Sequence, residues 1–295
     1  MGYTTIEEAI SSFPIADKEG NHTVLTRVGT MQQFGPSCGF YALYLVLNYW
    51  YRMGYSTQPP FPRFRHMNLP KDTENRNSLR RIGKELKVTT QGTVLSTEDL
   101  GKVAVAAGAF QYRNIEASGK DDFLEKAMKC IRAGYPVIVG IDMQQTGLPL
   151  VRQEGNPATS EDPNKGGHWA VLCGFQQYTN GAPSFIASHW GEYWIWSGED
   201  LYSSNSGLRW YPEEKFIKKK TQYENQNHVS ISFAGSTYEP GESFYISDFA
   251  VSTQEDMSDV TSERRTVPLT SIEGMRLKLL IVCPTNKDRP YEIRD

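Results

Sequence analysis

Gln33-Phe34-Gly35-Pro36-Ser37-Cys38-Gly39-Phe40 runs straight into Tyr41-Ala42-Leu43-Tyr44-Leu45-Val46-Leu47-Asn48-Tyr49-Trp50-Tyr51, a stretch apolar on nearly every side and closed by Gly54. That pattern predicts a central buried helix. Gly35 and Pro36 turn the chain sharply, so Cys38 falls at the helix start. The partial positive charge of the unpaired N–H groups there lowers a thiol's pKa and stabilises the thiolate. Further along, Gly166-Gly167-His168-Trp169-Ala170-Val171-Leu172 opens a strand on a histidine, 130 positions after the cysteine. The two glycines would let a substrate backbone approach closely. A thiolate beside an imidazole is a nucleophile with its proton shuttle: the histidine pairs with the thiolate, protonates the leaving group and then activates water. Either residue alone reads as a buried cysteine or a structural histidine, and it is their pairing that favours chemistry.

Acyl chemistry also needs donors for the developing oxyanion, such as a backbone N–H at the nucleophile and a side-chain amide. Gln32 and Gln33 lie six and five residues before Cys38, and Gln33 is the favoured one. A third group should orient the histidine. No Asp or Asn follows His168 in its strand, and His189, in Ile186-Ala187-Ser188-His189-Trp190-Gly191, is the first suitable polar residue at a strand end. A neutral imidazole accepts a hydrogen bond, more weakly than a carboxylate. Asn180 and Asp200 are the alternatives.

With 295 residues, 39% hydrophobic and 22% charged, the chain can bury a sizeable core. Its 31 basic and 34 acidic residues are intermixed and leave a net charge of -3, so neither nucleic acid nor an anionic membrane is an expected partner. The start, Met1 to Glu8, has no basic cluster and no apolar signal core, which points to a cytoplasmic protein, with signal-independent export as an effector left open. Cys130, Cys173 and Cys283 lie far apart in apolar patterns and form no metal-type pair with Cys38. They read as small core residues, and no metal or organic cofactor is expected.

Along the chain, helical patterns appear at Ile6 to Phe13, at about Ser78 to Leu86, from Thr97-Glu98-Asp99-Leu100, whose Thr looks like a cap, and at Asp121 to Ala133 before Gly134. Strand patterns then take over at Pro136 to Ile141, His168 to Phe175, Ser184 to Ser188 and Tyr193 to Ser197, the last three forming an antiparallel meander. The polar loop from Asp142 to Gly167 is long enough to be a lid. Lys218-Lys219-Lys220 and the polar residues after it suggest a linker. Two units follow: residues 1–220, carrying the cysteine and histidine, and a β-rich unit of residues 221–295, with strand-like stretches at His228 to Phe233, Phe244 to Val251 and Met275 to Cys283.

Gln33-Phe34-Gly35-Pro36-Ser37-Cys38-Gly39, Gly167-His168-Trp169-Ala170-Val171 and the segment from Ser188-His189-Trp190-Gly191 through Leu208 resemble the actin maturation protease family. The chain is similar, more distantly, to papain-like and bacteriocin-processing cysteine peptidases. The resemblance covers about residues 30–212 and does not reach the β-rich unit. It implies an α+β, papain-like fold, Cys38 as nucleophile and His168 as base, and the family's trimming of an acetylated N-terminal residue from actin. The Cys38 to His168 separation is also near the ~130–150 residues typical of papain-type enzymes. The expected partner is thus a protein or peptide substrate, actin among the options. An acyl or glutaminyl transferase, a deamidase, and a non-catalytic binding module are the rival readings.

Overall fold

Antiparallel pairing organises the chain. The computed structural model describes residues 2–13, 22–31, 33, 37–60, 62, 78–89, 94, 96–143, 148–149, 167–178, 181–208 and 274–287. In chain order these form α1 (Ile6–Ser11), β1 (His22–Val24), α2 (Cys38–Arg52), α3 (Leu79–Glu85), α4 (Thr97–Ala106), β2 (Phe110–Glu116), α5 (Lys120–Arg132), β3 (Val137–Asp142), β4 (Gly167–Gln176), β5 (Ser184–His189), β6 (Glu192–Ser197), α6 (Gly198–Ser206) and β7 (Lys278–Pro284). The seven strands make one sheet in the order β2-β7-β3-β4-β5-β6, with β1 added against the end of β4. Helices and an antiparallel sheet in one chain give an α+β fold, as read from the sequence.

The buried helix is α2. Phe40, Leu43, Val46, Leu47 and Trp50 are fully buried, and α2 packs on β4, β3 and β7. It continues to Arg52, and Gly54 then takes φ +82, a conformation that costs a glycine nothing. Gly134, also at φ +82, follows α5 in the same way. Side chains cap four of the helices: Thr5, Ser78, Ser96 and Ser197 each accept from the N–H three residues on. The cap of α4 is therefore Ser96 and not Thr97, whose hydroxyl is 3.1 Å from the Gly274 carbonyl oxygen.

Two elements have no counterpart in the sequence reading, β2 and α6. Strand β2 lies at the sheet edge and pairs with β7 over seven residues, Phe110↔Pro284 to Glu116↔Lys278. Strand β7 also pairs with β3. A boundary at residue 220 therefore does not separate residues 274–287 from the rest, because β7 supplies an interior strand of the main sheet. From Leu279 to Pro284 it is buried, as a strand covered on both faces must be. Trp50 Nε1 donates to the Val282 carbonyl at 2.7 Å and ties this strand to α2. The other two stretches assigned to the C-terminal unit, at 228–233 and 244–251, and most of the lid at 142–167 lie outside the described residues.

Helix α6 holds the sheet where β3 ends. Ser204 Oγ accepts from the Asp142 N–H at 2.9 Å and donates to the Asp142 carbonyl at 2.6 Å. Asn205 donates through Nδ2 to the Gly140 and Met275 carbonyls at 2.7 and 3.2 Å, and its Oδ1 accepts from the Leu277 N–H at 2.8 Å. One buried amide thus joins α6, β3 and the turn into β7.

Candidate active site

Cys38 is the first residue of α2 and is 9% exposed. The next residue places it against the sheet. A Cβ built on Gly39 would lie 3.1 Å from Trp169 Cδ1 and 3.3 Å from Trp169 Nε1. Trp169 is itself held, because its Nε1 donates to the Val94 carbonyl at 2.8 Å. The residue after the cysteine therefore packs on the residue after the histidine, and any side chain there would have to push the indole back by a few tenths of an ångström. Ser37 is the N-cap residue and is fully buried. Its carbonyl accepts from the Phe40 and Tyr41 N–H groups at 3.0 and 3.1 Å. Gln33 is half-buried on the segment leading to α2, and Gln32 lies outside the described residues.

His168 is the second residue of β4, opposite Ile141 of β3. It is 5% exposed, and burial pushes its imidazole down to about 3, so the ring is neutral at pH 7. A neutral imidazole is a proton acceptor. An imidazolium at this position would need the charge of a thiolate to offset its desolvation. Among the described residues His168 Nε2 has no hydrogen-bond partner.

Strand register explains which groups face the histidine. Val171 pairs with Ser188, so His168 on β4 and His189 at the end of β5 share one face, as diagonal neighbours. Their rings meet edge to face, 5.2 Å between centroids at 66°. The expected hydrogen bond from the first histidine to the second is not made at His168 Nε2. Asp142, the buried carboxylate next in register, pairs with Gly167 and so belongs to the opposite face. Asp200 sits in the first turn of α6, where its N–H donates to Ser197 Oγ at 3.0 Å, and Asn180 lies outside the described residues.

Aromatic rings close the face. The centroids of Trp190, Trp194 and Trp196 lie 5.1, 5.4 and 5.1 Å from that of His189, and Trp190 also stands 5.1 Å from His168. The indole N–H groups of Trp194 and Trp196 are buried without a hydrogen-bond partner among the described residues. Trp190 and Gly191 join β5 to β6 with φ values of +51 and +83, the two positive angles of a type I′ hairpin turn. A tryptophan in that conformation costs about 1–2 kcal/mol, against which stand its two ring contacts on the histidines. The Trp-Gly pair between two strand patterns was the available signal for the turn.

Cys130, Cys173 and Cys283 are buried, and burial raises all three thiols, Cys130 to about 12. Among the described residues no group of three or more His, Cys, Asp or Glu could hold a metal ion, and no helix is long and apolar enough to cross a membrane.

No protein-family model matches the chain, and no curated protein matches it in sequence. Among solved structures, one described as a C39-like peptidase from Bacillus anthracis is similar at 15% identity and a TM-score of 0.34, covering 62% of this chain and 92% of its own. Xylellain, a cysteine protease from Xylella fastidiosa, is similar at 14% identity and a TM-score of 0.41, covering 70% of this chain and 87% of its own.

Proposed function

We propose that this chain is a papain-like cysteine hydrolase that cleaves a peptide or protein substrate. The observation that carries the reading is the packing of Gly39 on Trp169, which brings the turn bearing Cys38 to the strand end bearing His168. Neutral His168 takes the Cys38 proton, and the sulfur attacks the scissile carbonyl carbon. The Cys38 backbone N–H and the Gln33 side-chain amide hold the oxyanion. Collapse breaks the C–N bond while His168 returns the proton to the departing amine, leaving an acyl-enzyme. Water, deprotonated by His168, then releases the acid and restores the thiol. The indole rings keep bulk water from the imidazole, and His189 orients it through ring packing.

The sequence resemblance to actin maturation proteases makes an actin N-terminus the first substrate to test, in a cytoplasmic setting. Cell lysate treated with wild-type and Cys38→Ala protein should differ in a defined set of new protein N-termini. Identical N-terminomes would refute the peptidase reading. A mass change that appears only with added amine would mark a transferase, and a gain of about 1 Da at glutamine without cleavage would mark a deamidase.

A further inference from the structure

Ser37 stands apart from every other side-chain cap described in this protein. Thr5, Ser96 and Ser197 occupy extended backbone, with ψ of 156, 148 and 146, and each of them, like Ser78 ahead of α3, accepts a hydrogen bond from the N–H three residues on. Ser37 has φ -125 and ψ 24, and its side chain makes no capping bond. The N–H that Thr5, Ser96 and Ser197 each receive, three residues on, is here that of Phe40, and it goes to the Ser37 carbonyl at 3.0 Å instead. The hydroxyl is nonetheless fully buried and has no hydrogen-bond partner among the described residues. A buried hydroxyl that bonds to nothing destabilises the fold, and an alanine of nearly the same size would avoid that penalty. Among the described residues the group therefore has no structural task, and it sits at the start of the helix that carries Cys38.

We propose that Ser37 is a further catalytic residue, whose Oγ–H donates a hydrogen bond to the Cys38 sulfur once it is ionised. The proposal rests on Cys38 being the nucleophile. A hydroxyl is a weak partner for a neutral thiol and a much better one for a thiolate, because bonds to a charged acceptor are shorter and stronger. It would thus act with the N-terminus of α2: the helix supplies partial positive charge along its axis, and Ser37 adds a donor beside the sulfur. The hydroxyl is buried and bonds to no described atom, the sulfur included, before the charge forms, so it is free to turn toward the sulfur when it does.

The test uses the full chain and iodoacetamide at pH 7, with each cysteine's alkylation rate followed by peptide mass spectrometry, alongside thermal unfolding. Losing one bond to a charged acceptor lowers the thiolate fraction about tenfold. A more basic thiolate is intrinsically more nucleophilic, which returns about threefold of that. The expected result for Ser37→Ala is therefore a fall of about threefold in the Cys38 rate, with the melting temperature held or raised and Ser37→Thr close to wild type. Ser37→Gly, which needs no extra space, should repeat the fall if the alanine variant folds badly. An unchanged Cys38 rate would overturn the proposal. So would a lower melting temperature with faster alkylation, the signature of a simple helix cap whose loss opens the turn. If wild-type Cys38 reacts no faster than Cys130, Cys173 and Cys283, the nucleophile assignment itself fails, and that outcome is visible before any Ser37 variant is made.

Discussion

Gly39→Ala sets two well-understood effects against each other, and their balance reports on the contact that assembles the site. Replacing a helical glycine by alanine in open space stabilises a helix by up to about 1 kcal/mol. Here the new methyl would meet Trp169 at 3.1 and 3.3 Å and Leu100 Cδ1 at 3.6 Å. The leucine contact is ordinary. The indole must move by a few tenths of an ångström, and it is 2% exposed with its Nε1 bonded to Val94 at 2.8 Å. Overpacking in such a position costs about 1–3 kcal/mol. The net expectation is a loss of about 1 kcal/mol for Gly39→Ala and roughly twice that for Gly39→Val, whose extra methyls press on the same ring. Because Trp169 and His168 are neighbours on one strand, the displacement should also lower Cys38 reactivity and turnover. Urea unfolding at constant m gives the stability change, and alkylation of Cys38 gives the second reading. A Gly39→Ala protein more stable than wild type, with wild-type Cys38 reactivity, would refute the packing on which the proposed function stands.

His168 should make the fold sensitive to acid in a particular window. Its imidazole titrates near 3 when folded and near 6.5 when unfolded, so below pH 6.5 the unfolded chain binds the extra proton. Stability attributable to this group falls by about 1.4 kcal/mol per pH unit between those limits. The melting temperature of His168→Gln should therefore decline less steeply from pH 6.5 to 4 than that of wild type, and parallel curves would contradict the burial of the ring. Trp190→Asn supplies the residue that a type I′ turn prefers but removes the two ring contacts, so the two effects should offset to within about 1 kcal/mol while turnover falls as the cover over His168 is lost; unchanged turnover would remove Trp190 from the site. Asn205→Ala leaves two carbonyls and an N–H without their partner and should cost about 3 kcal/mol in chemical unfolding, whereas a change below about 1 kcal/mol would show that the α6 junction does not brace the sheet.

The legible parts of this chain were those governed by local periodicity. An apolar run such as Phe40 to Trp50 has to be a buried helix, and the glycines at 54 and 134 follow helices for conformational reasons that any sequence displays. Strand β2 escaped because Phe110-Gln111-Tyr112-Arg113-Asn114-Ile115-Glu116 does not alternate: only Phe110 and Ile115 are buried. Its strand character comes from β7, more than 160 positions away. The same long-range pairing explains β7. Its apolar run was evident as a strand, but nothing local says that it belongs between β2 and β3 instead of in a separate unit. The turn of α4 shows the finest limit, since Ser96 and Thr97 are equally good capping residues by type and only the backbone decides between them.

The candidate site divides along the same line. Cys38 and His168 are marked by local chemistry, a thiol at a helix start and an imidazole at a strand start, and both positions are as read. The surroundings of the imidazole follow from register instead. The pairing Val171↔Ser188 puts His189 on the face of His168, and the pairing Asp142↔Gly167 removes the nearest buried carboxylate from it. A single-residue slip in either pairing would exchange those roles, because alternate residues of a strand face opposite ways. With the carboxylate on the other face, the ring is packed against His189 and Trp190 and meets no charged partner among the described residues. Packing fixes the plane of an imidazole but does not stabilise its cation, which is consistent with a base that stays neutral until a thiolate forms beside it. On that logic the charge of the pair is set mainly on the sulfur side, by the helix start and its neighbouring donors. Substitutions around Cys38 should therefore move the reactivity of the thiol more than substitutions at His189 do. A His189→Ala protein whose Cys38 alkylation falls further than that of Ser37→Ala would reverse this order and make His189 the dominant partner.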